Sequence, residues 1–545
     1  MNLQPKIIEL LKKRGISTED DITEFLSEKP RKTYDPFLLR NMDAGVDLIL
    51  SAIDRGKKIC IYGDYDADGI TSTTLMLEVL SNLTKNLTYY IPSRFDEGYG
   101  LNCGALKKIK ENGADLVVTV DCGSVSCEEA EYAKSIGLKL LVTDHHTVGE
   151  RIAGCPVINP IQPGCPYPFK YLAGVGVAFK VAQAIAAETG LPKSVVTRTL
   201  DLVGIGTIGD IVPLVDENRT LAKYGLRALN VSKRKGLVRL LEGVGLKQGH
   251  IASEDVSFII VPHLNASGRI ADAKTAVRLM TEKNEERIQF DVDELIRCNG
   301  LRKKLQEDTF ERCREIVEEK YMDDLFYVIN LEDAHEGITG IVAGKVKDAY
   351  NRPAVIVTPT GDNCLKGTGR SIEGVNLYQL LKGSEELFER FGGHAAACGF
   401  TIKRNLLPVL RQRLNEAMRI LFEGNPELFN KKMEADLKVS ASEVSVKLVE
   451  EMQLLEPFGC RNPRPLVQLA AKPASLQRMG IRGQYTRFTG ILDNGKELPC
   501  VIFKDASEYD EILQSGKKIS IIGTLGIQTW NEKRYLQLQV SGAEE

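Results

Sequence analysis

In 545 residues the chain has one tryptophan and six histidines, and its twelve cysteines are scattered singly with no C-x-x-C pair. That spacing argues against a structural zinc site. Cysteines such as Cys60 and Cys122, set in apolar runs, read as reduced core residues of a reducing compartment. Positive charge is not in excess either: 71 Lys and Arg against 74 Asp and Glu leave a net charge of −3. A surface coated in positive charge is excluded, whereas a local basic groove for nucleic acid is not. No apolar run approaches the ~20 residues a membrane-crossing helix needs, and the opening stretch MNLQPKIIELLKKRG lacks a signal-peptide core. The expected setting is cytoplasmic, with no membrane partner. There is no internal repeat or low-complexity segment.

The length calls for three or four domains. From about 57 to 145 near-continuous apolar strands (KKICIYG, LTYYIP, ADLVVTVD, LKLLVTD) alternate with amphipathic helices. That pattern predicts a parallel sheet covered on both faces. Residues 151–172, rich in Pro, Gly and Cys, read as a loop, and VGIGTIGDIVPL reads as a further strand-like piece. A charged, heptad-like stretch reads as a connecting helix, and a second α/β lobe follows. The C-terminal part is β-rich at regular spacing, which predicts a small closed barrel of the OB type. The expected boundaries are 1–50 for an N-terminal helical segment, 51–283 for the first α/β domain, 284–322 for the connecting helix, 323–425 for the second α/β domain and 426–545 for the barrel.

Parallel sheets place functional groups at the carboxyl ends of their strands. The acidic knot IYGDYDADG puts Asp64, Asp66 and Asp68 at one such end, and Asp121, Asp144 with His145 and His146, and Asp210 follow at others. An isolated aspartate after a strand usually caps the next helix, and Asp64 is assigned to that capping or a supporting role. Four acid-bearing strand ends, one with a histidine pair, make a coincidence that capping does not explain. Carboxylates gathered in one place repel unless a cation cancels their charge. Hard oxygen ligands with one or two imidazoles suit Mn²⁺ or Mg²⁺, and two such ions sharing a carboxylate make a phosphoryl-transfer centre. Elsewhere, Arg94 lies past a strand end, Asn265 and Arg269 lie in PHLNASGRI, read as a turn, and Thr368, Arg370, Ser371 and His394 lie in glycine-rich segments, also read as turns, that suit phosphate contact.

The series DYDADG, VDCG, DHH and GTIGDIVPL, in that order, resembles the motifs of the DHH phosphoesterase superfamily. With LNASGR and FGGHAAACGF further on, the chain is similar to the branch of bacterial single-stranded-DNA-specific exonucleases. The resemblance runs from about residue 45 to the C-terminus. It implies that Asp66, Asp68, Asp121, His145 and Asp210 hold two Mn²⁺ or Mg²⁺ ions, with Asp121 bridging, Asp144 supporting the histidine and His146 facing the scissile phosphate. It implies that the second lobe is a DHHA1 substrate-binding domain, and that Arg94, Asn265, Arg269, Thr368, Arg370, Ser371 and His394 contact substrate phosphates. It further implies 5′→3′ hydrolysis of single-stranded DNA to mononucleotides in recombination and repair, by a monomer working with a RecQ-type helicase and a single-strand-binding protein. Gly209 and Ile211 stand where the family commonly has alanine and valine, and Cys398 stands where it has other small residues; no ligand is lost. Two rival readings stay open. One is a phosphodiesterase of the same superfamily acting on short oligoribonucleotides or cyclic dinucleotides, which leaves the β-rich C-terminus unexplained. The other is an inactive strand-binding scaffold, which predicts eroded ligand positions. In the C-terminal region, Trp530 and Tyr535 with nearby Lys533 and Arg534 are candidates for base stacking and phosphate contact.

Overall fold

The computed structural model describes residues 3–544 apart from 96, 99, 362, 431–432, 481–482, 484, 504–508 and 531–532. It divides into two compact units. One comprises Met1–Ile91, Gly100–Val261 and Met433–Glu545, and the other Pro92–Tyr99 and Pro262–Lys432.

The first unit contains a five-stranded sheet of β1 (Ile59–Gly63), β2 (Leu87–Tyr90), β3 (Leu116–Val120), β4 (Lys139–Thr143) and β5 (Val157–Ile158), in the order β2-β1-β3-β4-β5. Every pairing is parallel. β1 and β3 are buried along their whole length, as the unbroken apolar runs require when helices cover both faces. β5 falls in the stretch expected as a loop; two residues paired on β4 are too few to show a period in sequence. The strand expected at VGIGTIGDIVPL is instead the end of a helix, Leu200–Gly209, with Asp210 at its C-terminus. Leu202 to Ile208 are all buried, so this helix shows no polar stripe, and a helix apolar all round imitates a buried strand.

The same unit holds the C-terminal barrel. Its strands are β11 (Leu437–Lys438), β12 (Val467–Met479), β13 (Tyr485–Ile491), β14 (Glu497–Ile502), β15 (Ile519–Trp530) and β16 (Lys533–Glu544). Pairing runs β12-β13-β14-β16-β15, and β15 returns to β12, closing a five-stranded ring that β11 flanks. The barrel core of Val467, Phe488, Leu498, Ile521 and Leu538 also takes Ile7, Leu10, Leu11 and Leu26. These come from the helices Pro5–Lys13 and Glu19–Leu26. The two ends of the chain therefore share one core, and each such buried aliphatic side chain contributes about 1.5–3 kcal/mol. The Trp530 side chain lies outside the described residues.

The second unit contains β6 (Tyr327–Asn330), β7 (Ala354–Thr360), β8 (Cys364–Arg370), β9 (Phe388–His394) and β10 (Ala397–Lys403), in the order β6-β7-β8-β10-β9. Only β6 and β7 are parallel; the rest pair antiparallel. The connecting helix, Glu285–Lys320, has 36 residues, about 54 Å at 1.5 Å per residue. Two expectations fail here. The glycine-rich segments expected as turns are largely strands β8, β9 and β10. Leu365, Cys398 and Phe400 point to the core, and glycines on the other face leave bare backbone. PHLNASGRI lies within the helix Val261–Ile270, with Val261, Leu264 and Ser267 buried at helical spacing. No helix among the described residues is long and apolar enough to cross a membrane.

Candidate metal centre and anion-binding face

At the carboxyl edge of the first sheet, β1 runs into the helix Ala67–Leu80 through Asp64, Tyr65 and Asp66. The cap of that helix is Asp66, not Asp64: its Oδ1 accepts from the amides of Asp68 (2.9 Å) and Gly69 (3.1 Å). Asp68 is the second residue of that helix, and its two oxygens accept from Gly174 N (2.6 Å) and Val175 N (2.8 Å) at the start of the helix Gly174–Thr189. Asp121 follows β3 with φ 64°, a left-handed conformation that aspartate tolerates better than most residues. Asp144 follows β4 and is the hub of its loop. Its Oδ2 accepts from Ser124 N (2.8 Å), and its Oδ1 from His145 N (2.7 Å) and His146 N (3.1 Å), with His146 Nδ1 at 2.8 Å. The aspartate thus fixes the ring of His146, not that of His145 as expected.

The His145 ring brings the sheet and the helix end together. Its Nε2 is 3.1 Å from Asp121, 3.5 Å from Asp210 and 3.9 Å from Asp68. Three groups each converge within 4.8 Å: Asp68 with His145 and Asp210; Asp64 with Asp66 and Asp121; and Asp121 with both histidines. All eight residues singled out in the sequence at this site lie together. These groups overlap at Asp121 and His145 and have the donor chemistry for hard divalent cations.

The electrostatics favour such cations. Burial, followed by the repulsion of Asp66, pushes the Asp68 carboxyl up to about 7. Burial, then Asp68 and Asp66, holds Asp121 and Asp210 well above the ordinary carboxylate range. Asp121 Oδ1, His145 Nε2 and Asp210 Oδ2 are buried without a hydrogen bond. Buried polar atoms left unpaired are costly, and a divalent cation would satisfy them. Burial and then His146 lower His145 to about 3, which keeps the imidazole neutral and able to ligate. Burial opposes charge on His146, but the hydrogen bond to and charge of Asp144 outweigh it and lift His146 above its ordinary value. Asp144 is correspondingly held low: burial would raise it, and His146 and the Ser124 amide overcome that. Cys122, next to Asp121, has its thiol pushed far up, first by burial and then by the surrounding carboxylates.

Sequence reasoning missed several residues that build this site. A Cβ on Gly174 would lie 2.6 Å from Asp121 Oδ1, and one on Gly206 would lie 2.8 Å from Asp68 Oδ1. Any side chain there would displace a carboxylate. Buried Asn159 donates to Ser124 Oγ (2.9 Å) and to the His146 carbonyl (3.0 Å). A polar residue closing the apolar run PVIN is its only sequence signal.

In the second unit, register puts Lys366, Thr368 and Arg370 of β8 on one sheet face with Ala397, Gly399 and Thr401 of β10 and Arg390, Gly392 and His394 of β9. A cavity of about 750 Å³ over this face is lined by Arg94, Lys366, Thr368, Arg390 and Thr401 among others. Burial, then the charge of Arg94, lowers Arg370 below the usual guanidinium value. Lys366 is paired with Glu336. His394 is exposed at the end of β9. Ser371 is buried, and its hydroxyl donates to the Val375 carbonyl (2.7 Å). Asn265 and Arg269 sit four residues apart on the helix Val261–Ile270, with Arg269 Nη1 donating to the Gly337 carbonyl (3.1 Å).

Comparison with known proteins gives three family matches: the DHH family N-terminal domain over residues 58–207, the DHHA1 domain over 324–419, and the RecJ OB domain over 435–542. The single-stranded-DNA-specific exonuclease RecJ of Bacillus subtilis is 39% identical over 550 residues, covering 100% of this chain and 68% of that protein. RecJ of Escherichia coli is 31% identical over 487 residues, covering 85% of this chain and 83% of that protein. The crystal structure of RecJ in complex with Mn²⁺ from Thermus thermophilus superposes with a TM-score of 0.84 at 27% identity, covering 100% of this chain and 76% of that one. The same protein has also been solved with Mg²⁺ (TM-score 0.77, 26% identity, 100% and 75% covered).

Proposed function

The chain belongs to the RecJ family, and on that premise we propose that it is a 5′→3′ exonuclease specific for single-stranded DNA, acting in recombination and repair. It releases 5′-mononucleotides by phosphodiester hydrolysis dependent on two divalent cations, Mn²⁺ or Mg²⁺. The observation that carries this reading is the convergence of Asp68, Asp121, Asp210 and His145, the last three with buried ligand atoms that make no hydrogen bond. In this reading Asp66, Asp68, Asp121, His145 and Asp210 hold the ions, with Asp121 shared between them. Bound cations supply charge neutralisation at the phosphate and activation of the attacking water. The chain's own residues do the rest. The amides of Gly174 and Val175 orient Asp68. Asp144 fixes His146 and favours its charged form, which suits it to donate a hydrogen bond to the scissile phosphate. Asp64 lends negative charge beside Asp66 and Asp121.

We assign recognition of the 5′ end to the open face of the second sheet, through Arg94, Thr368, Arg370 and His394; Ser371, whose hydroxyl donates to the Val375 carbonyl, supports the segment that follows Arg370. Asn265 and Arg269 are assigned to neighbouring phosphates. Arginine and backbone amides are the usual means of holding a phosphate chain. The domain assignments follow: catalysis by 51–283, end recognition by 323–425 beyond the connecting helix 284–322, and strand binding by 426–545. The finer expectations are a cytoplasmic monomer that works beside a RecQ-type helicase and a single-strand-binding protein. Sedimentation should give the monomer mass, and either protein should stimulate hydrolysis when added to the assay.

The test is hydrolysis, with Mn²⁺, of a 5′-labelled single strand, the same strand in duplex, and a two-nucleotide RNA. The single strand should be degraded to labelled mononucleotide far faster than the other two. Faster cleavage of the dinucleotide would favour a small-substrate phosphodiesterase instead.

A further inference from the structure

The carboxylate of Asp210 is held differently from those of Asp66, Asp68 and Asp144. Asp66 and Asp68 each accept two amide hydrogen bonds, and Asp144 accepts three. Asp210 Oδ2 has none. Its position therefore depends on the backbone to either side. On one side its amide closes the helix by bonding Gly206 O (2.9 Å). On the other, Ile211 takes φ 62° with its side chain 74% exposed. A β-branched residue rarely adopts that conformation, and it persists only where the surroundings enforce it.

The segment that follows Ile211 is held in part from the far end of the sequence. Leu214 N donates to Cys460 O (2.9 Å), and the Leu214 side chain packs so closely on Gly459 that a Cβ there would lie 2.7 Å from its Cδ1. Five residues on, in the helix Asp216–Asn230, Arg219 donates to Leu455 O (3.0 Å) and Glu456 O (3.1 Å). Glu456 Oε1 accepts from Ser253 N (2.9 Å), and Phe458 N donates to Ser253 Oγ (2.9 Å). Asn462 Nδ2 ties the loop to itself through the carbonyls of Leu455 (2.8 Å) and Pro457 (2.7 Å).

We propose that the loop 455–462, which leads into the C-terminal barrel, is a positioning element for Asp210, so that the part of the chain assigned to strand binding also sets the geometry of the metal centre. The proposal rests on the reading of Asp210 as a cation ligand. The loop touches no reacting atom; it acts through Leu214 and Arg219.

Gly459→Ala drives a methyl into Leu214 without touching any residue assigned to metal or DNA. The measurement is Mn²⁺ binding to full-length, DNA-free protein, followed by electron paramagnetic resonance, beside single-strand binding by fluorescence anisotropy. Gly459→Ala should weaken Mn²⁺ binding by about tenfold, the lower range for disturbing groups that orient ligands, and leave strand affinity unchanged. Adding Leu214→Val, which shortens the opposing side chain, should restore most of the Mn²⁺ affinity. If Gly459→Ala proves unfolded by circular dichroism, Arg219→Lys takes its place: it keeps the charge but forfeits the fork that reaches two carbonyls. A folded variant with unchanged Mn²⁺ affinity, or a double variant no better than the single one, overturns the proposal. Asp210→Asn is the control. If it leaves Mn²⁺ binding intact, the metal reading of Asp210 fails, which is a different result from failure of the loop.

Discussion

The two sheets meet the problem of charge in opposite ways. The first gathers like charges where water is scarce: Asp64, Asp68, Asp121 and Asp144 are at most 3% exposed. The second spreads unlike partners over an open face, where His394 and Arg390 are exposed and Lys366 already has an acid beside it. Buried carboxylates without counter-charge are unstable by themselves, so the first site is in effect built around ions that must arrive. Cations at a wet surface cost little to maintain and contribute little each until a polyanion covers them. The difference predicts steep, all-or-none effects at the first sheet and graded, salt-sensitive ones at the second.

The sharpest way to break that contrast is Asp121→Ala. Turnover should fall by about 10³-fold or more, beyond the ~10²–10³-fold that one electrostatic group commonly supplies, while single-strand binding without turnover survives. A variant keeping a tenth of wild-type kcat would end the shared-ligand assignment. Next in size is Arg370→Ala. A lost charge-assisted hydrogen bond is worth about 1.5–3 kcal/mol, roughly 10–100-fold in kcat/KM, and it should fall on 5′-phosphate substrates more than on 5′-hydroxyl ones. Equal losses on both would remove Arg370 from the 5′ end.

A third experiment tests the charge state of the acidic cluster directly. Asp68, Asp121 and Asp210 have folded values raised above the unfolded ones. Their contribution to stability is full below the ordinary carboxylate range and is lost as pH rises, for Asp68 through about 7. His146, also raised, acts in the same direction. His145, lowered to about 3, opposes them once pH falls below the ordinary histidine value of about 6.5. With cations chelated, lowering the pH from about 8 to about 6.5 should therefore raise Tm by roughly 2–4 °C, the shift that ~1 kcal/mol produces in a domain of about 200 residues. Saturating Mn²⁺ should flatten that dependence, because cations replace protons. A flat profile without metal would mean that the cluster is not under electrostatic stress. The smallest effect belongs to the barrel: Lys533→Ala should reduce the log–log salt slope of single-strand binding by about 0.7, with kcat unchanged. An unaltered slope would remove Lys533 from the path of the strand.

The acidic site was legible because strand ends carry their chemistry in short contiguous words: DYDADG and DHH lie in order beside apolar runs that nothing but a buried parallel sheet explains. Asp210 was found through its motif but set on the wrong kind of element, because a helix buried on every side has no stripe to betray its period. On the second sheet Thr368, Arg370 and His394 share one face, yet glycines read as turns lie within strands, where Gly392 and Gly399 leave the backbone of that face bare. The supports were the least legible. Gly174 and Gly206 matter only because two helices pass within a methyl group of a carboxylate, and Leu214 matters through a loop some 245 positions later. The joining of the first two helices to the last domain is likewise invisible to local pattern, since each amphipathic face declares that it is buried but not against what.

Cys122 carries a consequence of another sort. It is a thiol one residue from the carboxylate at the centre of the site, a place where a cysteine would ordinarily make an enzyme vulnerable to oxidants and alkylating agents. Those reagents react with the thiolate, and burial together with a ring of negative charge pushes this thiol well above its ordinary value, which disfavours the thiolate. Until cations arrive, closeness to the chemistry therefore shields this side chain: the same crowding of carboxylates that calls for them also holds the sulfur towards its less reactive, protonated form.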